Sequence, residues 1–158
     1  MADYKFIDVQ LVRGVARFTA NRPEVRNAQS RRLLEELDDA FARAARDPQV
    51  KVIALFGAGE HFSGGHDLGT AAELADRSER PLEAGLRGRF DHSRENFVDK
   101  TLRWRDVPKP TIAGVQGYRD PLLEENVMGQ WRAVDQSNYG KDFCRPGPSL
   151  CRIGKLLL

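Results

Sequence analysis

The 158-residue chain has only two cysteines, Cys144 and Cys151, and both lie near its C-terminus. One pair cannot build the disulfide framework of a small secreted protein, and it cannot supply a tetrahedral thiolate site for zinc. Other candidate ligands fall between residues 61 and 92, namely His61, His66, Asp67 and His92. Their spacing matches no metal-ligand motif, so we expect no metal site.

Long apolar runs and a strong net charge are also missing. No stretch approaches the roughly 20 apolar residues that span a bilayer, and no signal-peptide core follows Met1. The formal net charge is +2, with 25 basic and 23 acidic residues interspersed, so no basic patch for nucleic acid arises. We therefore expect a cytoplasmic protein that binds neither membranes nor nucleic acid.

The first half of the chain predicts a layered α/β domain. Alternating apolar residues predict a β-hairpin in which 5–13 and 15–19 pair across Gly14. A helix over about 30–46 follows, capped by Asn27 or Ser30. Its apolar stripe is Leu33, Leu34, Leu37, Phe41, Ala44 and Ala45, and its arginines Arg31, Arg32, Arg43 and Arg46 are expected on the solvated face.

A short β-branched run at 50–56 predicts a buried strand, and it leads into the glycine-rich segment 60–70. Gly64 and Gly65 allow a backbone path that a side chain would obstruct. A strand that enters such a loop leaves backbone N–H groups able to hold an anion or a carbonyl oxygen that gains negative charge.

Later segments are less regular. The pattern predicts a loose helix over 71–80, a longer helix over about 83–105 and a buried strand over 111–118. Phe90, Phe97 and Trp104 are interpreted as core or subunit contacts. Beyond residue 118 we expect a short amphipathic helix and then an irregular segment from about 138.

Three motifs together resemble the crotonase superfamily, the enoyl-CoA hydratases and isomerases. Asn21-Arg-Pro-Glu-Val-Arg-Asn-Ala28 is similar to its N-R-P-x-x-x-N-A loop, and Phe62-Ser-Gly-Gly-His-Asp-Leu68 to its F-[SCA]-[AG]-G-x-D-[LI] segment. Pro108-Lys-Pro-Thr-Ile-Ala-Gly-Val-Gln-Gly-Tyr118 is similar to its K-P-x-I-A-x-V-x-G-x strand.

The resemblance implies a ββα spiral, usually trimeric, that binds acyl-CoA thioesters and uses no cofactor apart from the coenzyme A of its substrate. Residues 1–118 would form the N-terminal part of this acyl-CoA-binding domain, and 119–158 a divergent tail. The spiral would therefore be incomplete at its C-terminal side.

The resemblance also implies site residues. The backbone N–H of His66 would be one of two oxyanion donors, and Asp67 would orient the loop. The coenzyme A site would be lined by Arg22, Val25, Arg26, Ala28, Gly64, Gly65, His66, Asp67 and Leu68, with Arg22 and Arg26 as phosphate partners.

The chain departs from the family after Tyr118, where relatives continue with a Gly-Gly-Gly run and a catalytic glutamate. Pro121, Leu122 and Leu123 occupy the glycine positions here, and Glu125 falls at the offset of that glutamate. Because no glycine run accompanies Glu125, we interpret its offset as coincidence. Alternatively, Arg119–Glu125 resembles an R-D-x-L-L-E-E segment that follows the catalytic core of relatives, so that the middle of the domain is missing.

Three functions stay open at this point. The chain is an enoyl-CoA hydratase/isomerase-like enzyme, a non-catalytic acyl-CoA-binding or subunit-interaction module, or an inactive truncated product.

Overall fold

The computed structural model describes residues 3–117 and the backbone of a strand at 132–135. The strands are β1 (Ile7–Val12), β2 (Val15–Ala20), β3 (Val52–Gly57), β4 (Thr111–Val115) and β5 (Arg132–Asp135). The helices are α1 (Arg31–Arg46), α2 (Ala71–Glu79), α3 (Gly85–Ser93) and α4 (Lys100–Arg105), with a 3₁₀ turn at Pro23–Val25. A π-helical segment, Arg94–Asp99, joins α3 to α4.

One sheet carries all five strands in the order β1-β2-β3-β4-β5. β1 and β2 form the predicted antiparallel hairpin, with Val12 opposite Val15 across the Arg13–Gly14 turn. Each later strand then runs parallel to its predecessor. Parallel neighbours need long crossover connections, and these connections carry the helices and the loops considered below.

Helix α1 covers one face of the sheet and closes the core. Ser30 is its N-cap, with the side-chain oxygen accepting from the N–H of Leu33, so Ser30 rather than Asn27 fills the predicted capping position. Phe41 packs edge-on against Phe18 of β2 at 5.1 Å and stacks on Trp104 of α4 at 5.3 Å. These rings fix α1 between the sheet and α4.

Several boundaries differ from those predicted. The buried strand at 50–56 begins later, at Val52, because the N–H of Val50 bonds the Asp47 carbonyl in a turn after α1. The helix predicted over 83–105 is three helical segments, one of them π-helical. Sequence patterns did not predict β5, which is only four residues long and pairs in parallel with β4.

The predicted short helix and irregular C-terminal segment lie outside the described residues. Among the residues that are described, no helix is long and apolar enough to cross a membrane.

Candidate functional site

Two loops that are remote in sequence lie side by side at the ends of β2 and β3. The N–H of Gly64 donates to the Arg26 carbonyl at 2.6 Å, and the N–H of Gln29 donates to the Gly65 carbonyl at 2.8 Å. The N–H of Asp67 returns a bond to the Gln29 carbonyl at 3.1 Å. The N-R-P loop and the glycine-rich loop therefore form one continuous backbone unit.

Asn27 holds the first loop in place. Its side chain is 1% exposed, and its backbone has a φ of 54°. The amide oxygen accepts from the N–H of Arg22 at 2.9 Å, while the amide nitrogen donates to the carbonyls of Ala58 and His61 at 2.9 and 2.8 Å. Asparagine tolerates this left-handed conformation and supplies both kinds of hydrogen-bonding group.

The second loop needs a glycine at residue 65. Gly65 has a φ of 87°, a region in which L-residues are strained. Ser63 links the two loops, since its hydroxyl donates to the Asn27 carbonyl at 3.2 Å and accepts from the N–H of Gly65 at 3.2 Å. The glycine predicted from the motif therefore has a conformational reason.

Asp67 accepts hydrogen bonds from the backbone of its own loop. Its Oδ1 accepts from the N–H groups of Gly69 and Thr70 at 3.1 and 2.8 Å, and its Oδ2 accepts from the Thr70 hydroxyl at 2.6 Å. Burial favours the protonated form of Asp67, but the hydrogen bonds from Thr70, Arg22 and Gly69 outweigh it and lower the pKa of this carboxyl. Asp67 therefore carries a charge at neutral pH.

Arg22 does not have the phosphate-binding role that we predicted for it. Its side chain is 2% exposed and forms an ion pair with Asp67 at 2.9 Å. The same guanidinium donates to the Ala28 carbonyl at 2.6 Å and the Thr70 hydroxyl at 3.0 Å. Because these bonds occupy a buried group, Arg22 braces the two loops instead.

Other residues of the predicted coenzyme A site remain open to solvent. Arg26 is exposed, with a φ of 52°, and Leu68 is 87% exposed. Val25 and Ala28 are half-buried. Of the two arginines, only Arg26 is exposed, and its phosphate-binding role stays a prediction.

His66 lies at the centre of the unit. It forms a parallel β-bridge with Gln29. Its ring stacks on Phe97, with centroids 3.8 Å apart and planes at 25°. We predicted Phe97 only as a core or subunit contact, and no signal in the sequence would have paired it with His66.

Two further predictions concern other parts of the chain. Glu125 lies outside the described residues. Within 3–117 and 132–135, no group of three or more histidine, cysteine, aspartate or glutamate side chains could hold a metal ion.

Comparison with known proteins gives a consistent result. The sequence pattern described as Enoyl-CoA hydratase/isomerase matches residues 10–120. A Mycobacterium tuberculosis protein named "Putative enoyl-CoA hydratase EchA13" is 37% identical over an aligned length of 128 residues, and the match covers 74% of this chain and 39% of that protein.

Solved structures show the same likeness. A "probable" enoyl-CoA hydratase from Mycobacterium smegmatis is 46% identical with a TM-score of 0.60, over 71% of this chain and 41% of that one. An enoyl-CoA hydratase/isomerase from Xanthobacter autotrophicus Py2 is 39% identical with a TM-score of 0.61, over 73% and 40%.

The chain thus spans 39–41% of the length of these relatives. The architecture of its described part is that of an incomplete crotonase fold. The chain belongs to the enoyl-CoA hydratase/isomerase family of the crotonase superfamily.

Proposed function

We propose that the chain binds an acyl-CoA thioester along the paired loops and that the backbone N–H of His66 polarises the thioester carbonyl. The observation that carries this proposal is the pairing of the two motif loops through Arg26, Gln29, Gly64, Gly65 and Asp67. A backbone donor acts on an oxyanion only if it is already aimed when negative charge develops.

The direction of the His66 N–H follows from the β-bridge. In a parallel bridge, the residues on either side of the bridged one make the hydrogen bonds, and here these are Gly65 and Asp67. The N–H of His66 itself therefore points away from Gln29. That direction suits a donor to a ligand on the outer side of the loop.

The rest of the coenzyme A would lie across the exposed rim. Arg26 offers a guanidinium to the phosphates, and guanidinium geometry matches phosphate oxygens. The backbone of residues 64–68 would line the adenine pocket. The acyl group would then extend from His66 towards the residues that follow Leu68.

Turnover is a separate matter from binding. Relatives have a second oxyanion donor in a Gly-Gly-Gly run, and this sequence has no such run after Tyr118. Loss of one donor typically lowers kcat by about 10²–10³-fold, and loss of the acid/base carboxylates removes proton transfer as well. Binding without turnover is the alternative that this sequence feature favours.

Calorimetric titration of the full chain with a saturated acyl-CoA tests the binding proposal. A crotonyl-CoA hydration assay on the same sample tests turnover. We expect binding without turnover. Turnover that Glu125→Gln abolishes would show that the tail completes the site, and absence of binding would refute the proposal.

A matched pair of variants locates the binding site. Gly65→Ala strains a left-handed position in the paired loops, where φ is 87°, and we expect it to weaken binding. Gly85→Ala strains an equally left-handed position, with a φ of 90° and open space around it, at the start of α3. Equal loss of affinity in both variants would contradict the placement of the ligand.

A further inference from the structure

The helical stretch from Gly85 to Arg105 contains an irregularity at its centre. Over Arg94–Asp99 it is π-helical, and the N–H of Lys100 donates to the Glu95 carbonyl, five residues earlier. A π turn inserts an extra residue into the helix, which makes it less favourable than an α turn, and such turns occur frequently at functional sites. This one contains Phe97.

The π segment places Phe97 between two parts of the molecule. On one side, the partly buried ring packs against the hydrophobic core that α1 and the sheet share. On the other side it stacks on the His66 ring at 3.8 Å. The side chain therefore connects the core directly to the candidate oxyanion donor.

His66 needs a second constraint because the residue before it is a glycine. Gly65 has no side chain, and glycine explores backbone angles that other residues avoid. The bonds from Gln29 hold the Gly65 carbonyl and the Asp67 N–H along one edge of the loop. The Phe97 stack holds His66 from the side-chain direction, which the Gln29 bonds leave unconstrained.

We propose that Phe97 is a positioning residue of the acyl-CoA site, and that its stack on His66 fixes the direction of the His66 N–H. This inference rests on the proposed function. Phe97 touches the donor residue rather than the substrate, so its effect on binding acts through His66. The π turn is the backbone feature that brings its ring to the loop.

Three variants of the full chain test the proposal. Phe97→Leu keeps an apolar side chain but removes the stack, while Phe97→Tyr keeps an aromatic ring. Phe90→Leu is the matched control, since Phe90 lies in the same helical stretch and is 60% exposed. Amide exchange of Gly65 and Asp67, whose N–H groups are hydrogen-bonded in the loop, the NMR shifts of the His66 ring protons, and the Kd for a saturated acyl-CoA are measured for each.

We expect Phe97→Leu to raise the Kd by about two- to tenfold, which is the range that one aromatic pair contributes. Exchange at Gly65 and Asp67 should rise, and the His66 ring protons should lose the upfield shift that a stacked ring imposes. Phe97→Tyr and Phe90→Leu should match the unaltered chain. The proposal would be overturned by a Kd that Phe97→Leu leaves unchanged, by an equal rise in Kd in both leucine variants, or by a loss of binding in Phe97→Tyr.

The exchange and ring-shift measurements separate this inference from the proposed function. If the unaltered chain binds no acyl-CoA, the proposed function fails while exchange still tests the stack. Faster exchange at Gly65 and Asp67 in Phe97→Leu alone would support a positioning role for Phe97. Equal exchange in Phe97→Leu and Phe90→Leu would refute it.

Discussion

Arg13 and Arg26 share an uncommon backbone conformation, with φ values of 48° and 52°. Both side chains are exposed, but only Arg26 lies in the paired loops. They therefore provide a site variant and a control with the same backbone cost. At the residue scale, comparing variants of the two arginines tests whether the Arg26 charge contacts the ligand or is only a surface charge.

We expect Arg26→Met to weaken acyl-CoA binding about two- to fivefold, the size of an exposed ionic contact. Arg13→Met should leave binding unchanged. Because the proposed contact is with phosphate, the loss should shrink as ionic strength rises. Calorimetric titrations at low and high salt measure both effects, and equal affinities for the two variants would remove Arg26 from the site.

The Arg22–Asp67 pair predicts a stability effect. Asp67→Asn leaves the Arg22 guanidinium buried without its counter-charge, and breaking such a pair costs about 3–5 kcal/mol. Asp106→Asn, which removes an exposed pair with Arg105, should have no measurable effect. Urea unfolding of both variants measures the difference, and comparable midpoints would show that the pair does not brace the loops.

The pH dependence of stability also tests the Arg22–Asp67 pair. The pKa of Asp67 is lowered in the folded state, so folding gains stability above the ordinary aspartate pKa. That gain is lost as pH falls from about 5 through the lowered pKa. Asp67→Asn should therefore flatten the acid limb of a stability–pH curve, and an unchanged acid limb would contradict the charge assignment.

At the scale of elements, α2 is unusual because its buried side chains are acidic. They are Glu73 and Asp76, while Leu74 is 55% exposed. Asp76 bonds Arg32 of α1 and Arg80 at 2.6 Å each, and Glu73 accepts from the N–H of Arg31 at the start of α1. Ionic contacts rather than apolar burial therefore hold α2 against α1.

These contacts predict that α2 is sensitive to salt. We expect 1 M NaCl to speed amide exchange over 71–79 more than over the apolar contact face of α1. Asp76→Asn should act in the same direction at low salt. Asp91→Asn, which removes an exposed pair with Arg87 on α3, is the control, and identical exchange in the two variants would contradict the ionic attachment.

Acid should release α2 as well. Burial raises the pKa of Asp76, but its bonds with Arg80 and Arg32 outweigh burial and lower that pKa overall. The contribution of Asp76 is therefore present above the ordinary aspartate pKa and is lost as pH falls through the lowered value.

These contacts show which elements the sequence predicts and which it cannot. Leu33, Leu37 and Phe41 recur at helical spacing because they face the sheet, so α1 was predictable from periodicity. Arg32 was predicted on the solvated face, but it is half-buried against Asp76. The spacing of charged side chains does not show whether they face water or form an ion pair with a helix that is distant in the sequence.

The candidate site also has features that the sequence predicts and features that it does not. The motifs identified Gly65 and Asp67, because a left-handed turn and a loop-orienting carboxylate need particular residue types. They did not reveal that Arg22 is buried or that Phe97 contacts His66. Both facts depend on how segments 45 and 31 positions apart in the chain pack together.

At the scale of the molecule, the described part exposes many large apolar side chains. The most exposed are Leu68 at 87%, Leu86 at 84% and Phe90 at 60%. Apolar groups that are contiguous on a surface favour association. Leu86 and Phe90 lie one helical turn apart on α3, so they present one patch.

We expect the full chain to self-associate, and sedimentation velocity over a range of concentrations measures this. Replacing Leu86 and Phe90 together by serine should shift the distribution towards monomer. The same double replacement at Leu11 and Val12, exposed at the end of β1, tests whether any loss of apolar surface suffices. A monodisperse monomer at all concentrations would contradict the expectation.

The order of the sheet has a consequence for how the polypeptide acquires its shape during synthesis. From β2 onward, every described strand pairs with the one that precedes it in the chain, so each finds its first partner already synthesised. The sheet can therefore grow by accretion, one edge at a time, as translation proceeds. Ribosome-stalled nascent chains that end between β4 and β5 should already protect the amides of β2 and β3.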